Sequence, residues 1–140
     1  MITQTSYLIE PIGFVRSALS RLEDAPMQGD EGAPDAWLEL TPEAAPGLAG
    51  IAAGDALIVL TWLHLADRAV VQVHPRGDES RPLAGVFATR SPSRPNPVGL
   101  HRVTVLAVEP GRLHVAPLEA LDGTPLVDIK PALAADPSER

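Results

Sequence analysis

"LHRVTVLAVEPGRLHVAPLEAL", residues 100–121, is the stretch that decides the fold. Two runs of alternating apolar and polar residues flank Glu109, Pro110, Gly111 and Arg112. Alternation with a period of two marks a strand with one buried face. Pro followed by Gly at the centre of a four-residue turn favours a type II turn. Two such runs joined by such a turn predict an antiparallel hairpin, with His114 on its surface.

The chain on either side reads the same way. "DALIVLTWLH" (55–64) is a near-continuous apolar run and predicts a central strand. "AVVQVHP" (69–75) predicts another, ended by His74 and Pro75, and "AWLEL" (36–40) alternates as a strand does. "SYLIEPIGFVRS" (6–17) is rich in β-branched and aromatic residues but contains Pro11 and Gly13, which predicts an edge or bulged strand. "TPEAAPGLAG" (41–50) opens with Thr41 as a helix cap and Pro42 at the first helical position, and Pro46 limits it to one or two turns. Residues 18–35 form a long loop dense in Pro, Gly and acid, and the C-terminal residues "AADPSER" are expected to fray. Six or seven short strands with little helix predict an all-β, mainly antiparallel fold. The expectation is a single small β-barrel over residues 1–140, with long loops and at most one or two short helices.

Composition bounds the function. Apolar residues make up 45% of the 140, enough for a core, while aromatics at 4% leave the packing to Leu, Val, Ile and Ala. The net charge of −7 does not attract phosphate backbones. Between Arg76 and Arg102, however, five arginines face only Asp78 and Glu79, so a local positive patch is expected on an acidic body. The absence of cysteine excludes disulfides, thiolate metal sites and a Cys nucleophile, and fits a reducing cytoplasm. The N-terminus shows no signal-peptide pattern, and the longest apolar stretch, "ALIVLTWLHLA", is too short to span a bilayer, so no membrane partner is expected. The glycines at 47, 50 and 54 miss the dinucleotide spacing. His64, His74, His101 and His114 occur singly, without the spacing of metal ligands, and no metal is expected.

The chemistry concentrates in "ATRSPSRPNPVG" (88–99). Each proline fixes its own φ and drives its predecessor into an extended state, so the loop is stiff. It runs between apolar "GVFAT" and apolar "VGLHRVTVLAV", which pins both ends. A stiff loop bearing Arg90, Arg94 and Asn96 suits an anion or a planar group, because a guanidinium is a flat fork of donors. "LDGTPLVDIKP" (121–131) is built in the same style, with a turn at Asp122, Gly123, Thr124 and Pro125. Asp128 and Lys130 lie on one face if extended, and their neighbours Leu126, Val127 and Ile129 predict partial burial of that pair.

These two motifs, in this order, resemble the TsaA/TrmO family of S-adenosylmethionine-dependent methyltransferases, whose pattern runs close to GVFATRSPxRPNPIGLS and then DGTPxLDIKPY. "IGFVRSALS" is similar to that family's opening strand and "GLAGIAAGDALIVLTWLH" to its central strand ending in His. The resemblance implies a β-barrel methyltransferase acting as a homodimer, with S-adenosyl-L-methionine held by loops. It implies methylation of N6 of threonylcarbamoyladenosine in tRNA, in the cytoplasm. Carried over, Arg94, Asn96, His64 and Asp128 are the catalytic candidates, with Lys130 in support. Gln28, His64, Leu65, Arg90, Pro97, Leu100, Asp122, Gly123, Thr124 and Pro125 are the cofactor-binding candidates. This chain departs from the pattern in having Met27 where the family has Arg, Ser93 for an aromatic residue and Ala132 for Tyr. With the acidic charge, those departures keep two alternatives open: a small-molecule acceptor on the same fold, and a non-catalytic S-adenosylmethionine-binding module.

Overall fold

The computed structural model describes residues 5–20 and 32–133. The predicted hairpin is present as β6 (Val98–Glu109) and β7 (Arg112–Ala116). Gly111 between them has φ 75°, the sign a type II turn demands of its third residue. Along β6, Gly99, His101, Val103 and Val105 are buried while Val98, Leu100, Arg102 and Thr104 are exposed, which is the period-two pattern made physical.

Around the hairpin stand β1 (Gly13–Arg16), β2 (Ala36–Leu40), β3 (Ala56–Trp62) and β8 (Pro125–Pro131). These six close into a barrel in the order β1-β2-β7-β6-β3-β8, with antiparallel pairing throughout. β6 is long enough to give its first half to β3 and its second half to β7, and that stagger lets the sheet close and leave no exposed edge. Val15, Leu38, Leu57, Val59, Val103, Val105, Leu113, Val115 and Leu126 fill the interior, and Leu48 and Leu118 pack against them.

Several expectations change in detail. The segment 69–75 yields only β4 (Gln72–Val73), which pairs with β5 (Ala84–Gly85) in a ribbon outside the barrel. Its apolar Val71 finds no barrel partner and stays exposed. The first strand begins only at Gly13, after Pro11, and Tyr7 and Leu8 before it lie exposed. Pro46 does not end a helix; it sits inside a 3-10 turn, Ala45–Leu48, after Thr41 Oγ1 has accepted the Ala44 N–H at 3.3 Å. Two further 3-10 turns, Pro75–Gly77 and Val86–Ala88, complete the helical content of the described residues. His114 is half-buried rather than superficial, because its ring stacks on Trp37 at 4.6 Å. The Asp128–Lys130 pair forms at 3.2 Å but is exposed, since both side chains point off the outer face of β8. No helix among the described residues is long and apolar enough to cross a membrane.

Candidate functional site

Three prolines in residues 92–97 remove three main-chain donors, so few N–H groups of that loop are left to pair its carbonyls. Arginines take their place. Arg94 Nη1 donates to the carbonyls of Thr89 (3.1 Å) and Ser91 (3.0 Å), and Nη2 to that of Val86 (2.8 Å). Arg68 Nε donates to the Pro95 carbonyl at 2.7 Å, and its Nη2 to Asn96 Oδ1 at 3.0 Å. The same guanidinium lies 5.1 Å from the centre of the Trp62 ring. Two more bonds seat the turn after β3 on the loop: Leu63 N–H to the Pro97 carbonyl (2.8 Å) and Asp67 N–H to Ser93 Oγ (3.2 Å).

The second motif is fixed from the opposite side, by β1 and the residues after it. Asp122 N–H donates to the Leu19 carbonyl (2.7 Å), and Asp122 Oδ1 accepts the Ser17 N–H (3.0 Å). Gly123, at φ 85°, donates to the Val15 carbonyl at 2.7 Å, and Val15 N–H returns a bond to the Thr124 carbonyl at 2.9 Å. Pro125 then opens β8. A register shift opposite Leu60 and Thr61 leaves Val127 as the extra residue of a bulge.

Between the two motifs runs a cleft of about 630 Å³, walled by residues 5–11 on one side and by Trp62, Arg68, Asn96 and residues 125–127 on the other. That volume lies in the range of small-molecule and cofactor sites. Its furnishings are a large flat ring, a clamped guanidinium, a side-chain amide and the apolar Leu126 and Val127. Such a set can stack a planar heterocycle and pair with a carboxylate.

Of the sequence candidates, Asn96 and Pro125 line this cleft. Asp122, Gly123 and the buried Thr124 form the turn leading into it, and Pro97, next to Asn96 in the chain, is buried. His64 and the exposed Leu65 follow directly on Trp62. Arg90 is exposed and Arg94 is half-buried with its donors turned onto its own loop. Leu100 faces outward from β6. Asp128 Oδ1 accepts the Ile129 N–H at 2.8 Å, and its other oxygen pairs with Lys130. Gln28 lies outside the described residues. Trp62 and Arg68, with the segment 5–11, escaped the sequence reading. Their one signal was an aromatic residue closing an apolar strand with an arginine six places on. No group of three or more His, Cys, Asp or Glu is placed to hold a metal among the described residues.

The family model of the tRNA-methyltransferase O N-terminal domain matches residues 14–136. A protein of Methanothermobacter thermautotrophicus described as a "Probable S-adenosyl-L-methionine-binding protein" is 46% identical over 124 residues, covering 88% of each chain. An "S-adenosyl-L-methionine-binding protein" of Archaeoglobus fulgidus is 44% identical over 123 residues, covering 88% of this chain and 87% of that one. The crystal structure of TrmO from P. aeruginosa superposes with a TM-score of 0.76 at 30% identity. It is matched over 100% of this chain, which spans 62% of the length of that one.

Proposed function

Because this chain belongs to the family of the tRNA-methyltransferase O N-terminal domain, we propose that it methylates N6 of threonylcarbamoyladenosine in tRNA. The coarser part of that reading is an S-adenosylmethionine-dependent methyltransferase with S-adenosylmethionine as cofactor, and the family match and the names of the relatives carry it. The observation that supports a donor site here is the cleft where the proline-rich loop and the turn at 122–125 meet over Trp62 and Arg68.

The residues fit the donor's chemistry. Bound S-adenosylmethionine supplies an electrophilic methyl group on a positively charged sulfur. Trp62 offers a face to the adenine ring, and Arg68, already held by Pro95 and Asn96, offers its remaining donors to the carboxylate. Val127, partly exposed at the cleft wall, is the apolar side chain that would keep water from the reacting carbon. Alignment of donor and acceptor is the chain's main contribution, and alignment alone is worth roughly 7–11 kcal/mol of barrier. The acceptor nitrogen must also lose a proton. Asp128 is engaged by Lys130, and the side chain proposed to take that proton is His64, exposed two residues after Trp62.

A second copy of the chain is assigned to cover Tyr7, Leu8 and Phe87, which are 76%, 86% and 80% exposed in one copy. The net charge of −7 favours a second reading, a small-molecule acceptor at the same cleft. Incubation with labelled S-adenosylmethionine and total tRNA, followed by nucleoside analysis, decides between them. Label in methylated threonylcarbamoyladenosine is the expected outcome, and label in no tRNA nucleoside overturns it. Binding of bulk tRNA at two salt concentrations gives an independent check, since phosphate contacts weaken steeply as salt rises.

A further inference from the structure

The barrel interior is apolar except near one end, where Thr61, His101 and Thr124 are buried. Two of these belong to a chain of three polar side chains. Thr61 Oγ1 stands 2.7 Å from His101 Nε2, and His101 Nδ1 stands 2.5 Å from Glu119 Oε1. Thr61 is wholly buried, the His101 side chain is 4% exposed and that of Glu119 16%. A carboxylate accepts and does not donate, so Nδ1 carries a proton. In the neutral ring Nε2 is then the acceptor of the Thr61 hydroxyl.

Gly99 shows that the space for this chain is kept open. A Cβ at that position would collide with Thr61 Oγ1 and stand 2.7 Å from His101 Nε2. The glycine closing the proline-rich motif is therefore required by a bond that passes directly over it.

The three residues sit on three different pieces of the site. Thr61 precedes Trp62 on β3, His101 follows Gly99 on β6, and Glu119 lies three residues before Asp122 in the loop that carries the second motif. Packing alone does not call for a polar trio here, since replacing buried polar groups by matched apolar ones is often neutral or stabilising. What the polar trio adds is direction: hydrogen bonds set the distance and angle between the elements they join.

We infer that His101 is a positioning residue for methyl transfer. Its ring holds the Trp62–Arg68–Asn96 wall and the turn at 122–125 at the separation the methyl donor needs. This rests on reading the cleft as the donor site. His101 touches neither donor nor acceptor; it acts through Thr61 and Glu119.

Two measurements test it. The first is ring-nitrogen NMR of the wild-type chain with labelled histidine. It is expected to show His101 protonated on Nδ1 and bare on Nε2, and the reverse tautomer overturns the wiring whatever the cleft binds. The second is calorimetric titration with S-adenosylmethionine of the wild type, His101→Leu and Thr61→Val, each alongside its Tm. Misplacement on the order of an ångström costs up to about a hundredfold in rate at such sites; the same loss of fit to the donor is expected to weaken its binding in both variants by about ten- to a hundredfold. Thr61→Val keeps the volume and shape of the side chain, so it tests the bond even if His101→Leu fails to fold. A folded variant that binds as the wild type does overturns the inference, as does a loss of affinity that merely follows a loss of Tm. A wild-type chain that takes up no donor overturns the donor-site reading itself, and that failure is seen before any variant is made.

Discussion

Arg94 offers the sharpest test of how the proline-rich loop works. Its guanidinium donates to the carbonyls of Val86, Thr89 and Ser91, at 2.8, 3.1 and 3.0 Å. The Val86 carbonyl keeps the Thr89 N–H (3.0 Å) and Thr89 Oγ1 (2.9 Å) when Arg94 is removed, but Pro92, Pro95 and Pro97 have no N–H to offer the carbonyls of Thr89 and Ser91. A hydrogen bond from a charged group is worth about 1.5–3 kcal/mol when buried. These are half-buried, and water recovers part of each once the arginine is gone. Arg94→Ala is therefore expected to cost about 2 kcal/mol in all, a drop of roughly 7 °C in Tm for a domain of this size. Arg94→Lys should rescue little, because a single ammonium cannot span three carbonyls as a planar fork does. The assay is thermal unfolding beside titration with S-adenosylmethionine. Lost donor binding at an unchanged Tm would refute this reasoning, because it would mean that Arg94 spends its donors on the ligand and not on the loop.

Gly99→Ala must push the new methyl group against Thr61 and His101, and overpacking of this kind costs about 1–3 kcal/mol, read as a shift in urea midpoint. Leu113→Ala empties a site that is 0% exposed at the centre of the barrel and should cost about 2–5 kcal/mol in the same assay. A bond from His114, with help from its own backbone, holds the exposed Asp35 carboxyl below the ordinary carboxylate range. The folded state thus binds that proton less readily than the unfolded state. The stabilisation is present above about pH 4, the unfolded value, and is lost as pH falls through the lower folded one. Asp35→Asn should flatten that part of the acid limb of a stability–pH curve, and an unchanged limb would contradict the assignment.

Much of the barrel could be read from local pattern. The alternation in 100–116 and 36–40, the apolar run in 55–64 and the Pro-Gly turn each placed a strand or a corner. Each signal lies within one element, and a strand's faces follow from its own period. The strand expected over 69–75 shortened to Gln72–Val73 because the segment lies outside the barrel, where Val71 gains one main-chain bond, from the Val86 N–H, and stays exposed. In the site, the two motifs were visible as proline-stiffened loops, and Asn96 and Pro125 do face the cleft. Trp62 and Arg68 were not visible as members, since the bonds that bring Arg68 to Pro95 and Asn96 span 27 and 28 residues.

Sequence alone settled the class of fold and the family, because periodicity, turn chemistry and motif order are properties of consecutive residues. Tertiary structure decided where each donor is spent. It turned Arg94 inward onto carbonyls and Arg68 onto Trp62, and it joined Thr61, His101 and Glu119 across β3, β6 and the following loop. The physical reason is that a side chain's partner is set by which strands the closing barrel makes adjacent, and adjacency across 18 to 40 residues leaves no mark on local composition.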